Sequence, residues 1–212
     1  GTKHVQDASY PFLIQEKYRA GYFTHYAGEG TIRSAKICYN GEEVDLCLCR
    51  TKAHFSEEKS AEGKMVRVLT LDPVDIEFDG LTVKLQTKEY FEEGSSAIRI
   101  ERNILEMSDP AAKVEINEYM VACYGTTEYP EDMTGITLTA EGETTETISY
   151  EYRCREAVVA GAKEVSAVIP AIETKVSMTT EDDAEGYIRE GYAFSPMFTL
   201  GYKKTVSERE VF

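Results

Sequence analysis

Several features that define common protein classes are missing from this sequence. No uninterrupted apolar run approaches the roughly 20 residues that a membrane-spanning helix needs. The chain also has no stretch rich in proline, serine or glycine that would separate two domains, and no repeat of fixed period. These absences predict a soluble protein with one domain, which we assign to residues 1–212.

Targeting signals and motifs for common chemistries are missing as well. No leader peptide is visible after Gly1 and Thr2, so we expect a cytoplasmic protein, with a leader removed before Gly1 as the alternative. The sequence has no glycine-rich phosphate loop, no Gly-x-Ser-x-Gly turn for a nucleophilic serine and no His-Glu-x-x-His helix for zinc. We therefore expect no cofactor.

Positive charge is scarce. The chain has 38 acidic residues against 23 lysines and arginines, which gives a formal net charge of −15 at pH 7. This charge repels the phosphates of nucleic acids and the anionic surface of membranes, so we expect neither as a partner. A carbohydrate, a partner protein and a second copy of the chain are the partners that stay open.

Five cysteines are present, at positions 38, 47, 49, 123 and 154. An odd number in a chain of this length does not suggest a disulfide framework, so we expect reduced thiols. Cys47 and Cys49 would share one face of a strand, and with His54 they could bind a soft metal ion. Because no second cysteine pair has zinc spacing, we predict no metal site.

Short segments rich in β-branched residues, separated by turn residues, recur along the chain. This pattern, with few helical signals, predicts an all-β fold: a large antiparallel β-sandwich with little helix. The best helical candidate, 151–163, contains Gly161 and lacks a strong cap, so a strand is the alternative there. We expect other strands at 135–140, 165–169, 172–178 and 198–206, with a break or an edge at Pro170.

A first hairpin can be predicted with its register. It spans 32–49 around Asn40-Gly41, a two-residue turn in which both positions tolerate positive φ. This register sets Ile37 opposite Val44 on one face and Lys36 opposite Asp45 on the other. Turn type, apolar pairing and charge pairing agree, as expected of a real hairpin.

A second hairpin spans 74–85 around Asp79-Gly80. Its register pairs apolar residues on the buried face and sets Asp75 opposite Lys84 on the outer face. The apolar pairs are Ile76 with Val83 and Phe78 with Leu81.

A third pair of strands is predicted at 97–105 and 113–124, joined by a polar connection around Pro110. If these strands pair with each other, Ile104 faces Ile116 and Ile100 faces Met120. Each apolar stripe contains one charged residue, and in this register Arg102 faces Glu118.

The segment Leu81–Tyr124 has a longer pattern of its own. A long strand ends in Glu89-Tyr90-Phe91, a turn at Gly94 follows, then the strand Ala97–Ile104, a Ser-Asp turn, and the strand Val114–Tyr119. This order resembles the antiparallel sandwich of the galactose mutarotase-like superfamily, which is also found as a domain of many glycoside hydrolases, phosphorylases and polysaccharide lyases. The resemblance implies a sandwich and an association with sugars.

The catalytic residues of that superfamily do not carry over to this chain. Mutarotases use a histidine acid and a glutamate base, and their histidines lie in motifs with tryptophan and asparagine nearby. This chain has no tryptophan, and its histidines, His4, His25 and His54, match none of those motifs.

Two groups of residues are candidates for ligand binding. The first lies between the glycines of 20–30, where aromatic rings could stack on sugars and His with Glu could move protons; the alternative is a strand whose aromatics are core. The second is the pair Arg102 and Glu118, which could hold a carboxylate or sugar hydroxyls, or form a structural ion pair. The ligand-binding candidates are Tyr22, His25, Tyr26, Glu29, His54, Arg102 and Glu118.

The acidic segment 181–186 lacks the alternating spacing of an EF-hand, so a solvated loop is favoured there over a calcium site. The sequence as a whole predicts a β-sandwich that recognises carbohydrate or serves carbohydrate processing. Two alternatives stay open: a non-catalytic structural or assembly subunit that binds a partner protein, and a small sugar epimerase, lyase or hydrolase.

Overall fold

A computed structural model describes residues 2–7, 10–15, 30–46, 49, 51–123, 135–151, 153–170, 173–191 and 197–212. These residues form seventeen β-strands and no α-helix, and so no helix that could cross a membrane. The strands in chain order are β1 (Thr2–Asp7), β2 (Tyr10–Gln15), β3 (Gly30–Tyr39), β4 (Glu42–Asp45), β5 (Ala53–Lys59), β6 (Met65–Leu71), β7 (Val74–Phe78), β8 (Leu81–Glu92), β9 (Ile98–Met107), β10 (Val114–Cys123), β11 (Thr137–Glu141), β12 (Thr145–Ser149), β13 (Glu156–Ala160), β14 (Glu164–Ile169), β15 (Thr174–Thr179), β16 (Glu185–Glu190) and β17 (Met197–Val206).

The prediction of an all-β antiparallel sandwich is confirmed. The strands form four sheets, and all pairs with a described register are antiparallel. The strand orders are β1-β2, β13-β16-β17-β10-β3-β4, β12-β11-β14-β15, and β5-β6-β8-β7 with β9 also paired to β8.

The chain divides into two compact units, and both contain residues of β1, β2, β3, β10 and β17. The first unit comprises the described residues of 1–5, 12–35 and 117–204, and the second those of 6–11, 36–116 and 205–212. In the first unit, β11 and β14 contact β16 of another sheet, so two layers pack face to face over an apolar core. A single domain over residues 1–212 stays a prediction.

Both predicted hairpins are confirmed with their registers. Ile37 pairs with Val44 around Asn40 and Gly41, whose φ angles of 48° and 85° are the positive values that this turn requires. The second hairpin pairs β7 with β8 in the predicted register around Gly80. In the first hairpin, Lys36 lies opposite Asp45 in the ladder, as predicted. Its ammonium is also 2.6 Å from the carboxylate of Glu43, two residues before Asp45.

The predicted pairing of the strands at 97–105 and 113–124 is wrong, although both strands exist. β9 pairs with β8 along residues 98–107, whereas β10 lies between β17 and β3 in the six-stranded sheet. The other edge of β9 is covered by residues 209–212, because Arg102 and Phe212 exchange two backbone hydrogen bonds of 2.6 and 3.0 Å. The register that set Arg102 opposite Glu118 is therefore wrong.

Several strands were not predicted from the sequence, and one open alternative is now decided. The segment 151–163 contains the strand β13 and no helix. The strands β5, β12 and β16 carry many charged or threonine side chains, so they lack the apolar alternation by which strands are identified. The strand β6 was not predicted either, although five of its seven residues are apolar.

In the first unit, an aromatic ring of β16 lies over a glycine of the paired strand β17. Gly201 lies directly opposite Tyr187 in the ladder, and the Tyr187 ring covers it. A Cβ atom at Gly201 would be only 2.4 Å from Cζ of that ring. The Tyr187 hydroxyl donates a 2.9 Å hydrogen bond to Oδ1 of Asn117, which holds the ring in this position.

Candidate functional site

The five-stranded sheet of the second unit has two chemically different faces. Side chains alternate between the faces of a strand, so the registers of β5, β6, β8 and β9 determine which residues are neighbours across the sheet. One face contains Leu71, Leu85 and Ile104, all at most 8% exposed. The other face has polar side chains on β5, β8 and β9, and on β6 it has Thr70 together with the buried Val66 and Val68; we call it the polar face.

Arg102 lies on the buried face, next to Thr87 of β8. Its side chain is almost fully buried, with 2% of the residue exposed, and Nη1 donates a 2.7 Å hydrogen bond to the Thr87 hydroxyl. Both residues line a small depression, together with Leu46, Leu71 and Leu85.

His54 lies on the opposite, polar face, so the structure separates two of the predicted site residues. The register pairs His54 with Thr70, Lys88 with Glu101, and Lys88 with Thr70. Four polar side chains therefore form one row across four adjacent strands. Neighbouring strands are spaced by about 4.8 Å, which makes this row about 14 Å long.

One end of the row is set by an exposed histidine–aspartate pair. Nε2 of His54 lies 2.8 Å from Oδ1 of Asp72, and both side chains are substantially exposed, by 62% and 41%. Asp72 follows directly after β6, where its backbone N–H bonds to the Lys52 carbonyl at 2.8 Å. This backbone hydrogen bond between the ends of β5 and β6 keeps Asp72 close to the His54 imidazole. The exposed edge of the imidazole carries polar nitrogen atoms.

The other end of the row is a cluster of Tyr90, Arg99 and Glu101. The Tyr90 hydroxyl donates a 2.7 Å hydrogen bond to Oε2 of Glu101, and Arg99 forms an ion pair with the other oxygen. The Arg99 guanidinium carbon lies 3.5 Å from the centre of the Tyr90 ring, a cation–π contact. Burial raises the pKa of Tyr90, and the Glu101 carboxylate raises it further, so the hydroxyl stays a donor at neutral pH.

The remaining sequence candidates lie elsewhere. Tyr22, His25, Tyr26 and Glu29 are outside the described residues. Glu118 is on β10 and is 7% exposed, consistent with the buried stripe predicted for that strand.

The polar face itself was missed by the sequence analysis. Its signal was the alternation of polar residues along β8, but the partner strands β5 and β6 were not predicted, so no row could be assembled. The polar residues at alternate positions of β8 are Thr82, Lys84, Gln86, Lys88, Tyr90 and Glu92.

The buried carboxylate of Glu190, in the first unit, is held by hydrogen bonds from the segment before β13. The Glu190 side chain is completely buried and accepts hydrogen bonds from the backbone N–H groups of Glu151 at 2.8 Å and Arg153 at 3.0 Å. Nε of Arg155 donates to it at 2.7 Å, and the backbone N–H of Arg155 at 3.4 Å. These bonds attach the segment 151–155 to the end of β16.

The acidic loop 181–186 is held by lysines. Nζ of Lys163 donates to the carbonyl oxygens of Glu181 and Asp182 at 3.1 and 3.0 Å, and Nζ of Lys204 lies 2.9 Å from Oδ1 of Asp182. Two ammonium groups therefore satisfy oxygens that a cation would need. In the part of the chain that is described, no three His, Cys, Asp or Glu side chains are grouped as metal ligands, and Cys47 of the considered cysteine–histidine site is outside that part.

Comparisons with known proteins assign this chain to no family. No protein-family model matches the sequence, and no curated protein matches it. The resemblance to the galactose mutarotase-like superfamily stays a prediction.

Proposed function

We propose that this chain recognises carbohydrate, and that the polar face of the five-stranded sheet is the binding surface. The observation that carries the proposal is the row His54, Thr70, Lys88 and Glu101 on four adjacent strands. The row combines an imidazole, a hydroxyl, an ammonium and a carboxylate, so it offers hydrogen-bond donors and acceptors side by side. Sugar hydroxyls can both donate and accept, and they match such a mixture.

The charges of the surface favour a neutral ligand. The positive groups of Lys88 and Arg99 lie among the carboxylates of Asp72 and Glu101, and the whole chain has a net charge of −15. A polyanion would be repelled by the chain as a whole. The row is also about 14 Å long at the usual strand spacing, so an oligosaccharide would contact more of it than a single sugar.

A substitution of Lys88 tests the proposal. We expect wild-type protein to bind at least one of a panel of neutral hexasaccharides built from glucose, xylose or mannose, as measured by isothermal titration calorimetry. Lys88→Ala should weaken that binding about tenfold, which corresponds to the loss of roughly one charge-assisted hydrogen bond. His54→Ala should weaken it as well, because His54 is in the same row.

Lys113→Ala is the matched control, because Lys113 is exposed in the same unit but lies before β10 and outside the five-stranded sheet. It should leave binding unchanged. The proposal is wrong if no hexasaccharide binds at millimolar concentration, or if Lys113→Ala and Lys88→Ala weaken binding equally.

A further inference from the structure

The strand β5 is an edge of the five-stranded sheet. Among the described strands it pairs with β6 alone. Backbone hydrogen bonds join Asp72 to Lys52 at one end of this ladder and Ser60 to Lys64 at the other. Because hydrogen-bonded pairs recur at every second residue, His54, Ser56 and Glu58 bond to β6.

The backbone groups of the alternate residues therefore point away from the sheet. These residues are Ala53, Phe55, Glu57 and Lys59, which together form an open edge of seven-residue length. Such an edge can pair with another strand through backbone hydrogen bonds alone.

This edge contains one large exposed apolar side chain, Phe55. Phe55 is 57% exposed, although its ladder partner Leu69 is only 2% exposed. An exposed aromatic ring on an open edge is unusual, because edges are commonly protected by charged residues. Burying this ring would contribute to association.

The charges on either side of Phe55 are complementary to each other. Lys52 lies three residues before Phe55 and Glu58 three residues after it. Both are exposed, and neither forms an ion pair with another residue in the described part of the chain. If the same strand of a second copy pairs antiparallel with β5 and the two Phe55 residues are opposite each other, each Lys52 therefore lies opposite a Glu58.

We propose that β5 pairs antiparallel with β5 of a second copy of this chain, with the two Phe55 residues opposite each other at the two-fold axis. Lys52 of each copy then lies opposite Glu58 of the other, in a pair without mutual backbone hydrogen bonds. The side chains of such pairs approach more closely than those of hydrogen-bonded pairs. Opposite charges at directly paired positions stabilise a ladder, and two equivalent pairs form in each dimer.

Neighbouring registers are less favourable. Centring the pair on Glu57 sets two glutamates opposite each other, which destabilises the ladder. Centring it on Ser56 sets Phe55 against Glu57 and Lys52 against Ser60, so the aromatic pair and the lysine ion pairs are both lost.

The dimer would also place two polar faces side by side. A two-fold axis perpendicular to the sheet keeps equivalent faces on the same side, so the two His54 rows would lie on one continuous surface. This arrangement would let one long ligand contact both copies, with a gain in avidity. Formation of the dimer does not depend on whether the polar face binds sugar.

Charge reversal at the two positions tests the proposal. An edge contact buries little area, so we expect a weak dimer whose population rises with concentration between about 10 μM and 1 mM. Sedimentation equilibrium of the wild-type protein measures the dissociation constant. Lys52→Glu alone and Glu58→Lys alone should each raise it at least tenfold, because each creates two like-charge pairs.

The double variant Lys52→Glu with Glu58→Lys restores opposite charges and should return the dissociation constant to within about threefold of wild type. Lys113→Glu makes the same charge change away from β5 and should have no more than a twofold effect. A wild-type protein that is monomeric at 1 mM would overturn the proposal. So would a dimer that is insensitive to the single variants, or one that the double variant does not restore.

Discussion

Replacing Glu190 by glutamine is expected to lower the free energy of unfolding by about 3 kcal/mol. The buried carboxylate accepts hydrogen bonds from the backbone N–H groups of Glu151, Arg153 and Arg155, and from the Arg155 guanidinium. A glutamine has one acceptor oxygen in place of two, and its NH₂ group would face some of these donors. Urea denaturation of the two proteins, followed by circular dichroism, measures the difference.

Glu185→Gln is the matched control for this experiment. Glu185 is on the same strand as Glu190, but it is exposed at the other end of β16. The same chemical change there should alter the free energy of unfolding by less than about 0.5 kcal/mol. If the two variants are equally stable, the hydrogen bonds of Glu190 do not hold the segment 151–155 in place.

The stability difference between wild type and Glu190→Gln should depend on pH. Burial alone would raise the pKa of Glu190, but the hydrogen bonds from Arg155 and from the backbone N–H groups outweigh burial and lower it below the usual 4.5. The unfolded chain therefore takes up the proton before the folded protein does. The stabilisation by the carboxylate is complete above the unfolded-state pKa and is lost as pH falls through the lower folded-state pKa.

The lowered pKa of Glu190 determines how the stability difference should change with pH. The difference in unfolding free energy between wild type and Glu190→Gln should be constant from pH 7 down to about 5 and should shrink as the pH falls below about 4.5. A difference that grows on acidification would show that the pKa of Glu190 is raised in the folded protein. Glu185→Gln, measured in parallel, separates this effect from general acid destabilisation.

The parts of the fold that the sequence predicts well are those that depend on neighbouring residues. The turn at Asn40-Gly41 needs positive φ at two successive positions, and few other residue pairs permit it, so its hairpin and register follow. Sheet membership depends on distant segments instead. β9 could be identified from its own alternation, but its neighbours are β8 and residues 209–212, and the latter are more than a hundred positions away in sequence.

The candidate site was only partly predictable for the same reason. His54 was identified by its residue type, and the alternation of β8 contains Lys88 and Tyr90. Their arrangement in one row depends on β5, whose exposed and charged residues hide the apolar period, and on its pairing with β6. Arg102 was correctly placed on an apolar stripe, yet its described side-chain partner is Thr87, because the ladder it joins is the one with β8.

Replacing Gly201 by alanine is expected to lower the free energy of unfolding by about 2–3 kcal/mol. The new Cβ would lie 2.4 Å from Cζ and 2.5 Å from the hydroxyl oxygen of Tyr187, closer than such atoms can approach. The ring cannot move aside freely, because it is buried and its hydroxyl is bonded to Asn117. A glycine inside a strand is typical of such a close approach, and here the aromatic ring from the paired strand covers it.

A double-mutant cycle identifies the ring as the cause. Tyr187→Ala should itself be destabilising, since it removes a buried aromatic ring. In that background the added methyl group of Gly201→Ala has free space, and alanine also restricts the unfolded chain more than glycine does. The second substitution should then cost nothing or stabilise the protein slightly, so the two changes would show a coupling of about 2 kcal/mol or more. Urea denaturation of the four proteins measures it. Additive losses would mean that the alanine is rejected by the strand backbone itself and that the Tyr187 ring does not cover Gly201.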